Sequence, residues 1–138
     1  MGLREIVQEN LKRDDMMEAF YNEVDTKEQA TGFDALSEVE KNIYGIFKLE
    51  TEINKRGFEQ YFKATKGKYL NDTLNFLQEI EAFDMYYLLD NGDKLSRARM
   101  DAEDRMDAFS ELDEEYFDLE EDMWAFYGKC INYVKNNI

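Results

Sequence analysis

Apolar positions recur at helical spacing along almost the whole chain. "LREIVQENLKRDDMMEAFYNEV" sets Leu3, Val7, Leu11, Phe20 and Val24 roughly on one side, which predicts a first helix. The polar stretch "DTKEQATGFDA" then reads as a connection. Ser37 followed by Glu40 fits a capping box opening a second helix, the serine oxygen taking the N3 amide while the glutamate reaches back. Ile43, Phe47, Glu50 and Asn54 continue its spacing with Ile46 and Ile53 beside them, and Gly57 suits the left-handed residue that ends it. A short aromatic helix, "FEQYFKAT", runs toward Gly67. "YLNDTLNFLQEI" and "AFDMYYLLD" predict two more, closed by "DNGD", and "KLSRARMDAEDRM" reads equally as solvated helix or ordered loop.

The clearest stripe comes last. Phe109, Leu112, Tyr116, Leu119, Met123, Tyr127, Cys130 and Val134 follow one another by threes and fours, with Phe117, Trp124 and Ile131 widening the apolar side. This predicts one helix from about Asp107 or Leu112 to about Lys135, with Trp124 more core than contact. Proline is absent, and no Ser/Gly-rich linker or internal repeat divides the chain. The expectation is all-α: a single compact bundle of about five to seven helices over residues 1–138, ending in a long acidic helix.

Composition agrees with a packed core, since 43% of the residues are hydrophobic and 14% aromatic. The net charge of −15 then changes the picture. It opposes direct binding of nucleic acid or of an anionic membrane and favours a basic partner. No stretch approaches the roughly 20 apolar residues that span a bilayer, and "MGLREIVQENLKRDD" has no apolar secretory core. Ile6 stands where a myristoylation signal wants Ser or Thr. Cys130, the lone cysteine, has no intrachain disulfide partner and fits a reducing compartment, so a cytoplasmic location is expected. Its place on the stripe suits a buried, inert thiol.

The chain has no histidine, which removes the imidazole base, the Ser–His and Cys–His pairs and every histidine metal ligand. There is no P-loop and no glycine-rich dinucleotide motif. "DNGDKLSRARMD" lacks the alternating oxygens of a calcium loop and turns basic where ligands should continue. Nothing singles out one pair among the carboxylates for acid–base work. The sequence points to a non-enzymatic protein without a metal or cofactor.

The charge is concentrated. Residues 101–122 hold twelve carboxylates and one arginine, a local charge of −11, while the other 116 residues carry only −4. At about 100° per residue, Glu111, Glu114, Glu115, Asp118, Glu121 and Asp122 fall opposite the stripe, and Asp101, Glu103, Asp104 and Asp107 extend the acidic segment. Asp113 and Glu120 project nearer the flank, where Arg or Lys of another helix would be simple partners. Ordinary surface helices intersperse lysines as i,i+4 partners, whereas no base occurs between Glu111 and Asp122. A destabilising run of like charge on one surface suggests that the surface is used.

The segment "LSEVEKNIYGIFKLETEINKRGFEQYFKATKGKY" resembles the shared domain of the bacterial nineteen-kilodalton DNA-mimic protein family. Leu36 and Ser37, Ile43 and Tyr44, and Glu52 and Asn54 stand at the family's positions, followed by Gly57, Phe58, Gln60, Tyr61, Phe62 and Gly67. Arg56 replaces the first glycine of a Gly-Gly pair and Ala64 an asparagine. The likeness covers roughly residues 36–92, extended loosely by the acidic segment. It implies an all-helical domain and, from the member that gives the family its name, carboxylates that imitate DNA phosphates on the binding surface of a repressor. It transfers no catalytic residue. The partner expected is therefore a basic protein, either a DNA-binding regulator or a nuclease toxin that an immunity protein would neutralise. Charge serving solubility alone stays open, as does a homodimer.

Overall fold

A computed structural model describes residues 2–138. The protein is an all-α helical bundle. Its helices are α1 (Leu3–Gln8), α2 (Arg13–Thr31), α3 (Glu38–Arg56), α4 (Phe58–Thr65), α5 (Leu70–Glu79), α6 (Phe83–Arg97), α7 (Ala102–Glu120) and α8 (Trp124–Asn137), with a 3₁₀ turn at Phe33–Ala35. Contacts cluster in two compact units: Met1–Phe47 with Met123–Ile138, and Lys48–Asp122. No helix among the described residues is long and apolar enough to cross a membrane.

In the first unit α2 packs on α1, the 3₁₀ turn and α8. Its core holds Leu3, Ile6, Met17, Phe20, Val24, Ile43, Cys130 and Val134, all buried. The capping box forms as the sequence predicts: the Glu40 amide donates to Ser37 Oγ at 3.2 Å and the Ser37 amide to Glu40 Oε1 at 2.8 Å. Lys27 Nζ reaches the same carboxylate at 2.9 Å. Burial works against the charged form of Glu40, yet the Ser37 amide and hydroxyl and Lys27 together hold its pKa below the ordinary value.

In the second unit α6 packs against α4, α5 and α7, and α4 also meets α7. Phe58, Tyr61, Phe76, Leu77, Leu89, Phe109 and Tyr116 fill its interior. Gly57, at φ +89°, ends α3 by donating its amide to Ile53 O at 2.8 Å, and α4 begins one residue later.

Several boundaries differ from expectation, among them the start of α7, which lies at Ala102 and not at Asp107 or Leu112. The first helix is interrupted at residues 9–12, where Asn10 turns to φ +57°, and α2 runs on through much of the expected connection to Thr31. "DNGD" does not close α6, which continues to Arg97. Gly92 sits inside that helix because a Cβ there would come within 2.8 Å of Phe62 and 3.2 Å of Leu112; it is a packing glycine. The ambiguous segment resolves into the end of α6, a connector at residues 98–101 and the start of α7.

The long last helix is two helices, α7 and α8, separated at Glu121–Met123. Glu120, Glu121 and Asp122 crowd negative charge onto a helix end whose dipole is already negative, and the last turn of α7 holds no base. The break also resets the register. Phe126 and Ile131 are buried, whereas Phe117 is 44% and Trp124 63% exposed. Trp124 is thus not core: the Arg13 guanidinium stacks over its ring at 3.5 Å and donates to its carbonyl at 2.9 Å.

Candidate protein-interaction surface

Helix α7 is built to keep charge on one side. Asp101 caps its start, accepting the Asp104 amide at 2.8 Å, and Glu103 and Asp104 in the first turn favour the positive end of the dipole. Arg105, the one base of the segment, is turned back onto the end of α6, donating to Leu95 O at 3.2 Å and Ala98 O at 2.6 Å. Phe109, Leu112 and Tyr116 bury the opposite face.

All ten carboxylates expected on the acidic face are exposed: Asp101, Glu103, Asp104, Asp107, Glu111, Glu114, Glu115, Asp118, Glu121 and Asp122. Met106 (62% exposed) and Phe117 (44%) border them. Eleven residues apart, these two return to within about 20° of each other around the helix and so share the edge of the acidic face. Nineteen residues at about 1.5 Å each give the ridge a length of about 28 Å.

Asp113 and Glu120 lie off this ridge, half-buried. The partner of Asp113 is not an Arg or Lys: its Oδ1 accepts the backbone amide of Phe58 at 2.8 Å, so it serves the N-terminus of α4. Its other oxygen lies against Gly57, where a Cβ would come within 2.5 Å. Burial raises the Asp113 pKa, the Phe58 amide opposes this, and Glu59 adds to the rise. One carboxylate of the acidic helix thereby holds the Gly57–Phe58 corner of the motif.

The motif residues divide by role. Phe58 and Phe62 are core, Gly57 is the closely approached corner, and Gly67, at φ +73°, turns the chain after α4. Glu52 and Gln60 are half-buried, while Asn54 is exposed on α3. Asp113, off the ridge on α7, meets the motif at Gly57 and Phe58. Among the described residues no three acidic or thiol side chains are grouped to hold a metal ion. The Asp113–Phe58 link joins residues 55 apart and leaves no periodic trace in the sequence.

No curated protein and no solved structure matches the chain. A family model described as DMP19-like protein matches residues 34–137.

Proposed function

This chain belongs to the DMP19-like protein family, and from that premise we propose that it acts as a non-enzymatic acidic binding protein whose α7 ridge imitates the phosphates of DNA. The partner is a basic nucleic-acid-binding protein, and the ridge occupies the surface that protein would present to nucleic acid. The observation that carries this reading is that ten carboxylates stand exposed on α7 and the residues flanking it, while Phe109, Leu112 and Tyr116 are buried on the other side.

Neighbours three or four apart on a helix are separated by about 5–6 Å, and DNA places a charge every ~1.7 Å of its axis with both strands counted. A basic surface that tracks phosphates thus meets a row of like charge on the ridge, sparser than that of a duplex. The carboxylates steer the encounter and neutralise Arg and Lys side chains. Met106 and Phe117 at the edge supply apolar area, which phosphates lack, and aromatic anchors beside charge are frequent centres of binding energy.

The test is capture from host lysate at low salt, wild type beside the variant Glu114→Lys, Glu115→Lys, Asp118→Lys and Glu121→Lys, with eluates identified by mass spectrometry. The expected result is a basic DNA- or RNA-binding protein retained by the wild type alone and released by salt. Equal capture by both proteins, with the variant folded, would sink the reading and leave the charge as an aid to solubility. A nuclease as the captured protein would select the immunity role.

A further inference from the structure

The second unit contains a cavity of about 350 Å³ whose charge is opposite to that of the chain. Lys63, Lys66, Arg97 and Arg105 line it together with Glu59 and Asp93, over apolar walls that include Phe62 and Phe109. The two carboxylates are already engaged. Glu59 lies 4.0 Å from Lys63, and Asp93 takes Arg97 through both oxygens at 3.2 and 2.7 Å. Lys66 and Arg105 remain, and among the described residues neither has a carboxylate at ion-pair distance. Both line the same cavity, beside the apolar surface of Phe62 and Phe109. Arg105 is half-buried, and the carbonyls of Leu95 and Ala98 satisfy two of its N–H groups without cancelling its charge.

We propose that this cavity is a binding site for a small organic anion with an apolar body. Its volume lies within the usual ligand range of about 300–1,000 Å³. Phe62 and Phe109 receive the apolar part, and Lys66 with Arg105 takes the anionic head. The engaged pairs Lys63–Glu59 and Arg97–Asp93 form the rim and add no net charge. Lys66 sits at the C-terminal cap of α4 with φ +53°, which fixes its backbone beside the mouth while its side chain stays exposed. This site is independent of the carboxylate ridge, because it selects anions where the ridge repels them.

The experiment is a backbone amide NMR titration of the full chain with 2-naphthoate and, separately, with neutral 2-naphthamide. The same pair is then titrated into Lys66→Asn, which removes the charge and keeps a residue suited to positive φ. Arg105→Gln would also strip the end of α6 of its donor, so it is the weaker test. The expected result is shifts centred on Lys66, Gly67, Leu70 and Ser96, naphthoate bound at least about tenfold more tightly than the amide, and that preference lost in Lys66→Asn. Naphthoate and naphthamide binding alike, an unchanged preference in Lys66→Asn, shifts elsewhere, or no shifts at all would each overturn the proposal.

Discussion

Two carboxylates, one in each unit, face different surroundings, and their titrations push stability in opposite directions. Glu40 is held below its ordinary pKa, so its contribution is present above about pH 4.3, the unfolded value, and is lost as pH falls through the folded one. The stability gap between wild type and Glu40→Gln should therefore shrink as urea melts are moved from pH 6 to pH 3. Asp113 is raised, so its contribution is full below about pH 3.9 and is lost as pH rises through the folded value. Asp113→Asn keeps an oxygen acceptor for the Phe58 amide and should gain on wild type between pH 4 and pH 7. Asp113→Ala leaves that amide without its acceptor and should lose about 1–3 kcal/mol. An alanine variant as stable as wild type would remove Asp113 from its place as the anchor of the Gly57–Phe58 corner.

The helices as elements were legible because their apolar residues repeat by threes and fours, and the Ser37–Glu40 box and Gly57 mark both ends of α3 in the sequence itself. The breaks at residues 9–12 and 121–123 were not, because a stripe keeps its apparent period across a few residues of turn. Gly92 misled for a different reason: glycine beside Asp and Asn signals a turn, and the need for close packing against Phe62 appears only when α4 and α6 meet. Gly92→Ala should gain helix propensity and still lose stability, since overpacking costs about 1–3 kcal/mol and the propensity returns only about 1. On α7 the acidic residues were legible as a face, but Asp101 as a cap and Asp113 as an anchor were not, because both act on backbone amides. Asp118 has Glu114 and Glu115 behind it on α7, so Asp118→Lys converts two repulsions into attractions, worth about 1 kcal/mol in all. Chemical denaturation should find this variant more stable than wild type while partner binding weakens. A variant that is both less stable and fully competent to bind would deny the ridge its proposed trade of stability for recognition.

For the whole molecule the distribution of charge matters more than its sum. Residues 101–122 carry −11 of the −15, and the structure exposes ten of those carboxylates on α7 and the residues at its two ends. The remaining surface is close to balanced and includes the cation-lined cavity of the second unit. Under the proposed function, the field of this ridge is what steers a basic partner toward α7. The family supplies the expectation of a DNA mimic, and the ridge supplies the surface on which that expectation can be tested. The most direct measurement is competition: fluorescence anisotropy of labelled DNA bound to the basic protein captured by this chain, titrated with wild type and with the variant carrying lysine at 114, 115, 118 and 121. Displacement of the DNA by wild type, with none by the folded variant, is the predicted result. Displacement by both to the same extent, or a wild type that binds the partner and leaves the DNA in place, would contradict mimicry by the ridge.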